Sequence, residues 1–265
     1  MEGDSLMAVT VKQILDVLNE IAPPELQESY DNAGLLAGHP QRPVERILVA
    51  LDLTEGAVDE ARKTGAQLIV THHPILFRGR KNVREDDAEG AAICALIRAG
   101  ISLIAVHTNF DNAPCGVNDA LAQNLELQNI EAFEHGLRIG DLVQEQTTST
   151  IGALVEKKLG GRARVYASRP DTLIKRIAVC GGAGGEFFAK AALMGAQAFV
   201  TGEIRHHDAL AAVANDICVI EAGHYETEHI ALKLLTDSLQ ARIDALQYNV
   251  TVSTSTYEPF WRFRG

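Results

Sequence analysis

No two cysteines in the chain have the CxxC spacing of a thiolate metal knuckle or a redox motif. The four present, Cys94, Cys115, Cys180 and Cys218, are scattered, and three of them sit in apolar runs where cysteine acts as a small hydrophobe. The pattern argues against a disulfide framework and suits a reducing compartment. There is no basic cluster either. The net charge is −11, so a phosphate-backbone footprint is absent and nucleic acid is not an expected partner. No apolar run approaches the roughly 20 residues needed to cross a bilayer, so no membrane partner is expected. The opening MEGDSLMAVTVKQ has no basic stretch followed by an apolar one, which argues against a secretory leader and for a cytoplasmic protein. A P-loop is also missing, so no nucleotide motif is written in the chain.

What is present is an ordinary globular composition, 46% apolar and 22% charged over 265 residues, ample for a real core. Thr10 is placed to cap a helix whose apolar face is Ile14, Leu15, Val17, Leu18 and Ile21, and Pro23-Pro24 ends it. Glu28–Gly34 is rich in turn residues, with Asp31 and Asn32 read as hydrogen-bonding their own backbone. From Ile47 on, strand-like and helix-like segments alternate. Strands are expected at 47–51, 67–71, 101–106, 163–167, 175–180, 197–200, 217–221 and 246–254. Helices are expected at 55–64, 88–99, 117–125, 149–159, 186–194, 206–214 and 225–240. This pattern predicts an α/β (α+β layered) architecture.

The chain repeats itself. Ile47-Leu-Val-Ala50 matches Ile177-Ala-Val-Cys180, and Gly65-Ala-Gln-Leu-Ile-Val-Thr71 matches Gly195-Ala-Gln-Ala-Phe-Val-Thr201, both at an offset of 130. Each copy then reaches a third strand, ending Ala105-Val-His107 in one and Ala222-Gly-His224 in the other, where the offset falls to 117. Two similar, interlocked α/β units arising from an internal duplication are expected, with a metal site at strand ends between them. Approximate boundaries are a leader at 1–8, a first unit at 9–130 and a second at 131–265.

The chemistry gathers at the strand ends. Leu68-Ile-Val-Thr-His-His-Pro74 is an apolar, β-branched run that stops in two imidazoles and a proline. The carboxyl ends of strands are where open α/β sheets place their ligands. The third strands both lead into H-x3-acid, His107-Thr-Asn-Phe-Asp111 and His224-Tyr-Glu-Thr-Glu228. A helical start would set His224 and Glu228 on one face, whereas the first segment is expected to curl as a loop. Imidazoles mixed with carboxylates favour zinc, manganese, iron or cobalt over calcium.

These motifs occur in a telling order: THHP with Phe77-Arg-Gly79, then His107–Asp111 with Gly116-Val-Asn118, Thr201-Gly-Glu203, and Ala222–Glu228. Tyr30-Asp-Asn-Ala-Gly-Leu-Leu36 and the tail Ser253–Phe260 complete the set. Together they resemble the Nif-three-like dinuclear-metal proteins, often described as type 2 GTP cyclohydrolase I homologues. The resemblance implies two divalent metal ions held by His72, His73, Asp111, His224 and Glu228, with His107 close by, and a ring-shaped homohexamer. It further implies a metal-dependent, cyclohydrolase-like hydrolase that acts on a nucleotide or other small anionic substrate. Glu203 and His206 or His207 are candidates for proton transfer, Asn32 for a substrate contact, and Arg78 or Arg205 for a phosphate. The alternative is a non-enzymatic metal-binding, delivery or scaffold protein.

Overall fold

In a computed structural model the described residues are 8–258 and 260. The leader expected over 1–8 lies, apart from Ala8, outside the described residues, as does Pro259 of the tail motif. The first elements are α1 (Val11–Ile21), β1 (Gly34–Ala37), β2 (Arg46–Ala50), α2 (Glu55–Thr64), β3 (Leu68–Thr71), α3 (Ala88–Arg98) and β4 (Ser102–Ala105). Next come α4 (Thr108–Asn112), α5 (Val117–Asn124), β5 (Gln128–Ala132), β6 (Arg138–Thr147), α6 (Ile151–Leu159), β7 (Arg164–Tyr166) and β8 (Leu173–Cys180). The chain finishes with α7 (Phe188–Leu193), β9 (Ala198–Thr201), α8 (His206–Ala214), β10 (Cys218–Glu221), α9 (His224–Glu228), α10 (Ile230–Ala245) and β11 (Thr251–Thr254). The α/β layering expected from the alternation is observed.

The chain divides into two compact units. One holds the described residues through Phe110 together with those from Leu235 onward; the other is Asp111–Leu234. The boundary placed near residue 130 from the sequence therefore lies at Phe110/Asp111, and the closing segment returns to the first unit. It does so because β11 pairs in parallel with β2, Thr251 opposite Arg46, a long-range pairing that periodicity does not reveal.

In the first unit the strand order is β1-β4-β3-β2-β11, parallel except for β1 against β4. All four residues of β3 are buried, as expected of a parallel strand covered on both faces. Leu48, Val58, Ile69, Leu96 and Leu103 form its core. In the second unit the order is β5-β6-β8-β9-β10-β7, with β8, β9 and β10 parallel and the flanking strands antiparallel. β5 and β6 were not anticipated. All of β5 is exposed, and β6 opens on a buried arginine and drops the apolar alternation after Leu142, so neither carries a clean strand period.

The sequence repeat has a hydrogen-bonded counterpart. Ile47 pairs with Leu68 as Ile177 pairs with Ala198, both shifted by 130. The Gln67 carboxamide oxygen accepts from the backbone N–H groups of Glu45 and Arg46, at 2.9 Å each. Gln197 does the same for Lys175 and Arg176, at 2.8 and 3.0 Å. Gly65 and Gly195 precede these turns at φ 70° and 84°, a left-handed conformation glycine adopts without cost. The Gly-Ala-Gln signature thus ends a helix and clamps the start of the neighbouring strand. The third strands need one correction: Thr71 faces Ala105 and Thr201 faces Glu221, an offset of 116. His224 therefore sits one residue farther beyond its strand than His107 does.

Other differences are local. His107 leads into the short helix α4 rather than a loop. The helix expected at 225–240 is two helices, α9 and α10, and the final strand is confined to Thr251–Thr254. On the first turn of α5 the Asn118 amide spans from the Asp111 carbonyl (3.2 Å) to the Gly181 N–H (2.7 Å). Among the described residues no helix is long and apolar enough to cross a membrane.

Gln67→Ala removes an acceptor shared by two backbone donors and should lower stability by about 1–2 kcal/mol in urea unfolding. Gln67→Glu retains that acceptor and should recover most of the loss.

Candidate metal centre

His72 and His73 follow β3 directly. Their N–H groups continue its ladder to the Ala50 and Leu51 carbonyls at 3.2 and 3.0 Å. The Thr71 hydroxyl then donates to the His73 carbonyl at 2.9 Å, closing a tight turn just beyond the strand end. His107 arrives from the adjacent β4. The three ring centroids are 4.9, 5.1 and 5.6 Å apart, and one ring nitrogen from each histidine lies within 4.8 Å of the others.

Each ring is oriented by an acceptor at Nδ1. His72 Nδ1 lies 2.9 Å from the Val106 carbonyl, His73 Nδ1 is 2.8 Å from Asp52 Oδ1, and His107 Nδ1 is 2.7 Å from Asp31 Oδ1. A carbonyl or carboxylate oxygen accepts, so Nδ1 is the donor in each of these contacts. This is how proteins prepare histidines to bind a metal, and the residues fit one. Asp31 is locked from several sides. The Thr108 N–H (3.0 Å), the Thr108 hydroxyl (2.5 Å) and the Asn32 N–H (2.7 Å) all donate to it. Burial works against its ionisation, but the hydrogen bonds from His107 and Thr108 outweigh burial and hold its carboxyl at about 2. Asp31, read from the sequence as a turn residue, thus supports His107, while Asn32 donates to the Leu76 carbonyl at 2.9 Å. Asp52 was not anticipated at all. Its one signal was an acidic residue at the end of the strand beside the His-His strand.

The second unit carries its own donors. His224 opens α9, and its Nε2 lies 3.1 Å from Oε2 of the buried Glu228 four residues on. Its Nδ1 is 3.1 Å from Glu203 Oε1, so Glu203 serves His224 as Asp52 serves His73. In the repeat, Gly182 occupies the position of Asp52, and a Cβ there would come within 2.2 Å of Glu228 Oε1. The glycine leaves room for the α9 carboxylate. Asp111 lies on α4, partly buried. Burial pushes the Cys180 thiol far up, and the negative charges of Asp111 and Glu228 push it further. The three-imidazole group does not include Asp111.

His206 and His207 stand exposed on the first turn of α8 with rings 5.5 Å apart; no hydrogen bond joins either to His224 among the described residues. Arg205 is committed to Asp208 (3.0 Å) and Glu186 (3.3 Å), which leaves it poorly disposed to a phosphate. Cys115, four residues after Asp111, is exposed.

Asp52→Asn and Asp31→Asn keep the shape of the supporting group but weaken its hold on the ring N–H. Each should lower divalent-metal affinity by roughly 10- to 100-fold in a competitive chelator titration. Gly182→Ala should weaken binding too, by displacing Glu228.

The profile of the Duf34/NIF3 (NGG1p interacting factor 3) family matches residues 9–259. A Clostridium perfringens protein named GTP cyclohydrolase 1 type 2 homolog is 32% identical over 258 residues, covering 94% of this chain and 98% of its own. Among solved structures, a Bacillus cereus protein related to NIF3 superposes with a TM-score of 0.91 at 24% identity, over 97% of this chain and 100% of that one. Staphylococcus aureus protein SA1388 superposes at 0.89 with 28% identity, over 96% of this chain and 99% of its own. With these motifs, this fold and matches spanning nearly its whole length, the chain belongs to the Duf34/NIF3 family.

Proposed function

We propose that the protein is a divalent-metal-dependent hydrolase acting on a nucleotide or another small anionic substrate. One observation carries this reading. Three imidazoles, each with its Nδ1 given to an acceptor-only group, bring one ring nitrogen apiece within 4.8 Å of the others. Imidazole with carboxylate suits zinc, manganese or iron. Divalent ions supply Lewis acidity, lowering the pKa of water and neutralising an oxyanion. In this reading His72, His73, His107, Asp111, His224 and Glu228 are the metal ligands of a two-ion centre. Asp31 and Asp52 hold His107 and His73 in the ligating tautomer. We assign Glu203 two tasks, orienting His224 through the 3.1 Å contact at Nδ1 and carrying a proton from its exposed carboxylate. His206 is the second proton-carrying candidate. The name shared by the similar curated proteins supports opening of a purine-type ring as the reaction, and the family reading includes a homohexameric assembly.

The test pairs metal content with turnover. Elemental analysis of the purified protein should find about two divalent ions per chain, lost in His72→Ala and Asp111→Ala. GTP offered to the loaded protein should lose its purine absorbance. Assayed at saturating metal, which offsets the weaker hold on His224, Glu203→Gln should slow that loss by roughly 100-fold or more. Retained metal with no turnover of GTP or of other nucleotides, and indifference to Glu203→Gln, would point to a metal carrier.

A further inference from the structure

Next to His73 the first unit has an open cavity of about 850 Å³, within the range of small-molecule sites. Asp52 and His73 form one side, so anything seated there lies beside the imidazole group. Phe77 and Tyr257 both line it and are 41% and 45% exposed, far from the burial expected of aromatic rings used only for packing.

Both rings are held in place. Phe77 meets His107 edge-on at 5.6 Å and Tyr30 edge-on at 6.3 Å. Tyr257 belongs to the segment after β11, which Glu60 of α2 fastens down. Its carboxylate accepts from the Thr256 N–H (2.9 Å), the Thr256 hydroxyl (2.8 Å) and the Ser255 hydroxyl. Burial opposes ionisation of Glu60, but these hydrogen bonds prevail and hold its carboxyl below the usual range. The Tyr257 ring then lies against the first turn of α2 at Gly56, so close that a Cβ there would come within 2.3 Å of it. Glycine is a poorer helix former than alanine. Here that is offset by seating a ring at the cavity wall.

The charged residues complete the picture. Arg80 is engaged by Asp87 and Glu89, and Asp52 by His73. Arg78, which also lines the cavity, makes no ion pair among the described residues, and neither does Glu55. A guanidinium matches an anionic group, and a carboxylate matches ring or amino N–H donors.

We propose that this cavity binds the planar nitrogen heterocycle of an anionic substrate, stacked on Phe77 and Tyr257, with Arg78 on its anionic arm and Glu55 on its ring N–H groups. The inference rests on the hydrolase reading above and assigns the residues that hold the heterocycle of its substrate. The tail strapped by Glu60 is a specificity element, since it supplies one of the two aromatic faces.

The experiment is calorimetric titration of the full-length protein, with and without metal, using GMP, guanosine and ribose 5-phosphate as probes. GMP should bind at least 10-fold more tightly than ribose 5-phosphate in either state. Phe77→Leu keeps an apolar side chain but removes the π-face, and Tyr257→Ala removes the other ring; each should weaken GMP by about 10-fold or more at unchanged metal content. Gly56→Ala should reproduce Tyr257→Ala. Arg78→Ala should weaken GMP and leave guanosine unchanged. Ribose 5-phosphate binding as tightly as GMP would overturn the proposal, as would GMP affinity unmoved in both aromatic variants. Absence of GMP binding in protein that holds its metal would reject the cavity while sparing the metal centre. GMP binding in protein that takes up no metal would sustain the cavity and reject the hydrolase.

Discussion

Everything distinctive about the site depends on where the Nδ1 protons of its histidines go. An imidazole has two nitrogens, and which one is free to bind an ion is decided by what the other one touches. In the first unit a backbone carbonyl and two aspartates hold Nδ1 of His72, His73 and His107. In the second a glutamate holds Nδ1 of His224. The supports come from distant parts of the chain. Asp31 belongs to the loop before β1 and Asp52 to the end of β2. The parallel sheet makes this possible by bringing the ends of β2, β3 and β4 side by side, so that a residue just beyond each strand reaches its neighbour.

The two units use one framework for different ends. Both clamp the start of one strand with a glutamine that precedes the next, and both set the same strand pairing. They then part at the strand ends. Where the first has Asp52, His72 and His73, the second has Gly182, Gly202 and Glu203. The exchange is physically coherent. Glycine at 182 clears the space that the Glu228 carboxylate fills, and the single residue added before His224 lets α9 begin there.

Some of this was readable in advance because local rules agreed with the tertiary outcome. The α2 helix, the β3 strand and the His-His-Pro terminus follow from capping, β-branching and proline chemistry within a dozen residues. β5 and β6 were not readable, because an all-exposed edge strand and a strand opening on a buried arginine break the alternation that marks a strand. Arg138 is buried only because Asp119 and the Asn112 and Ala113 carbonyls receive it, a pairing no window of sequence displays. The supporting carboxylates stayed hidden for a similar reason. Asp31 sits in a run of turn residues, where hydrogen bonding to its own backbone is the ordinary role, and its partners His107 and Thr108 lie more than seventy residues away.

By itself the sequence determined the alternating elements, the repeat, the family and which imidazoles and carboxylates stand at strand ends, because helix caps, strand stops and short motifs are local. The tertiary structure alone decided which group holds each ring nitrogen, that the closing strand joins the first sheet, and that Tyr257 is seated on Gly56 beside His73. Those are contacts between residues far apart in the chain. They exist only once parallel strands have brought the ends of their neighbours within hydrogen-bonding reach.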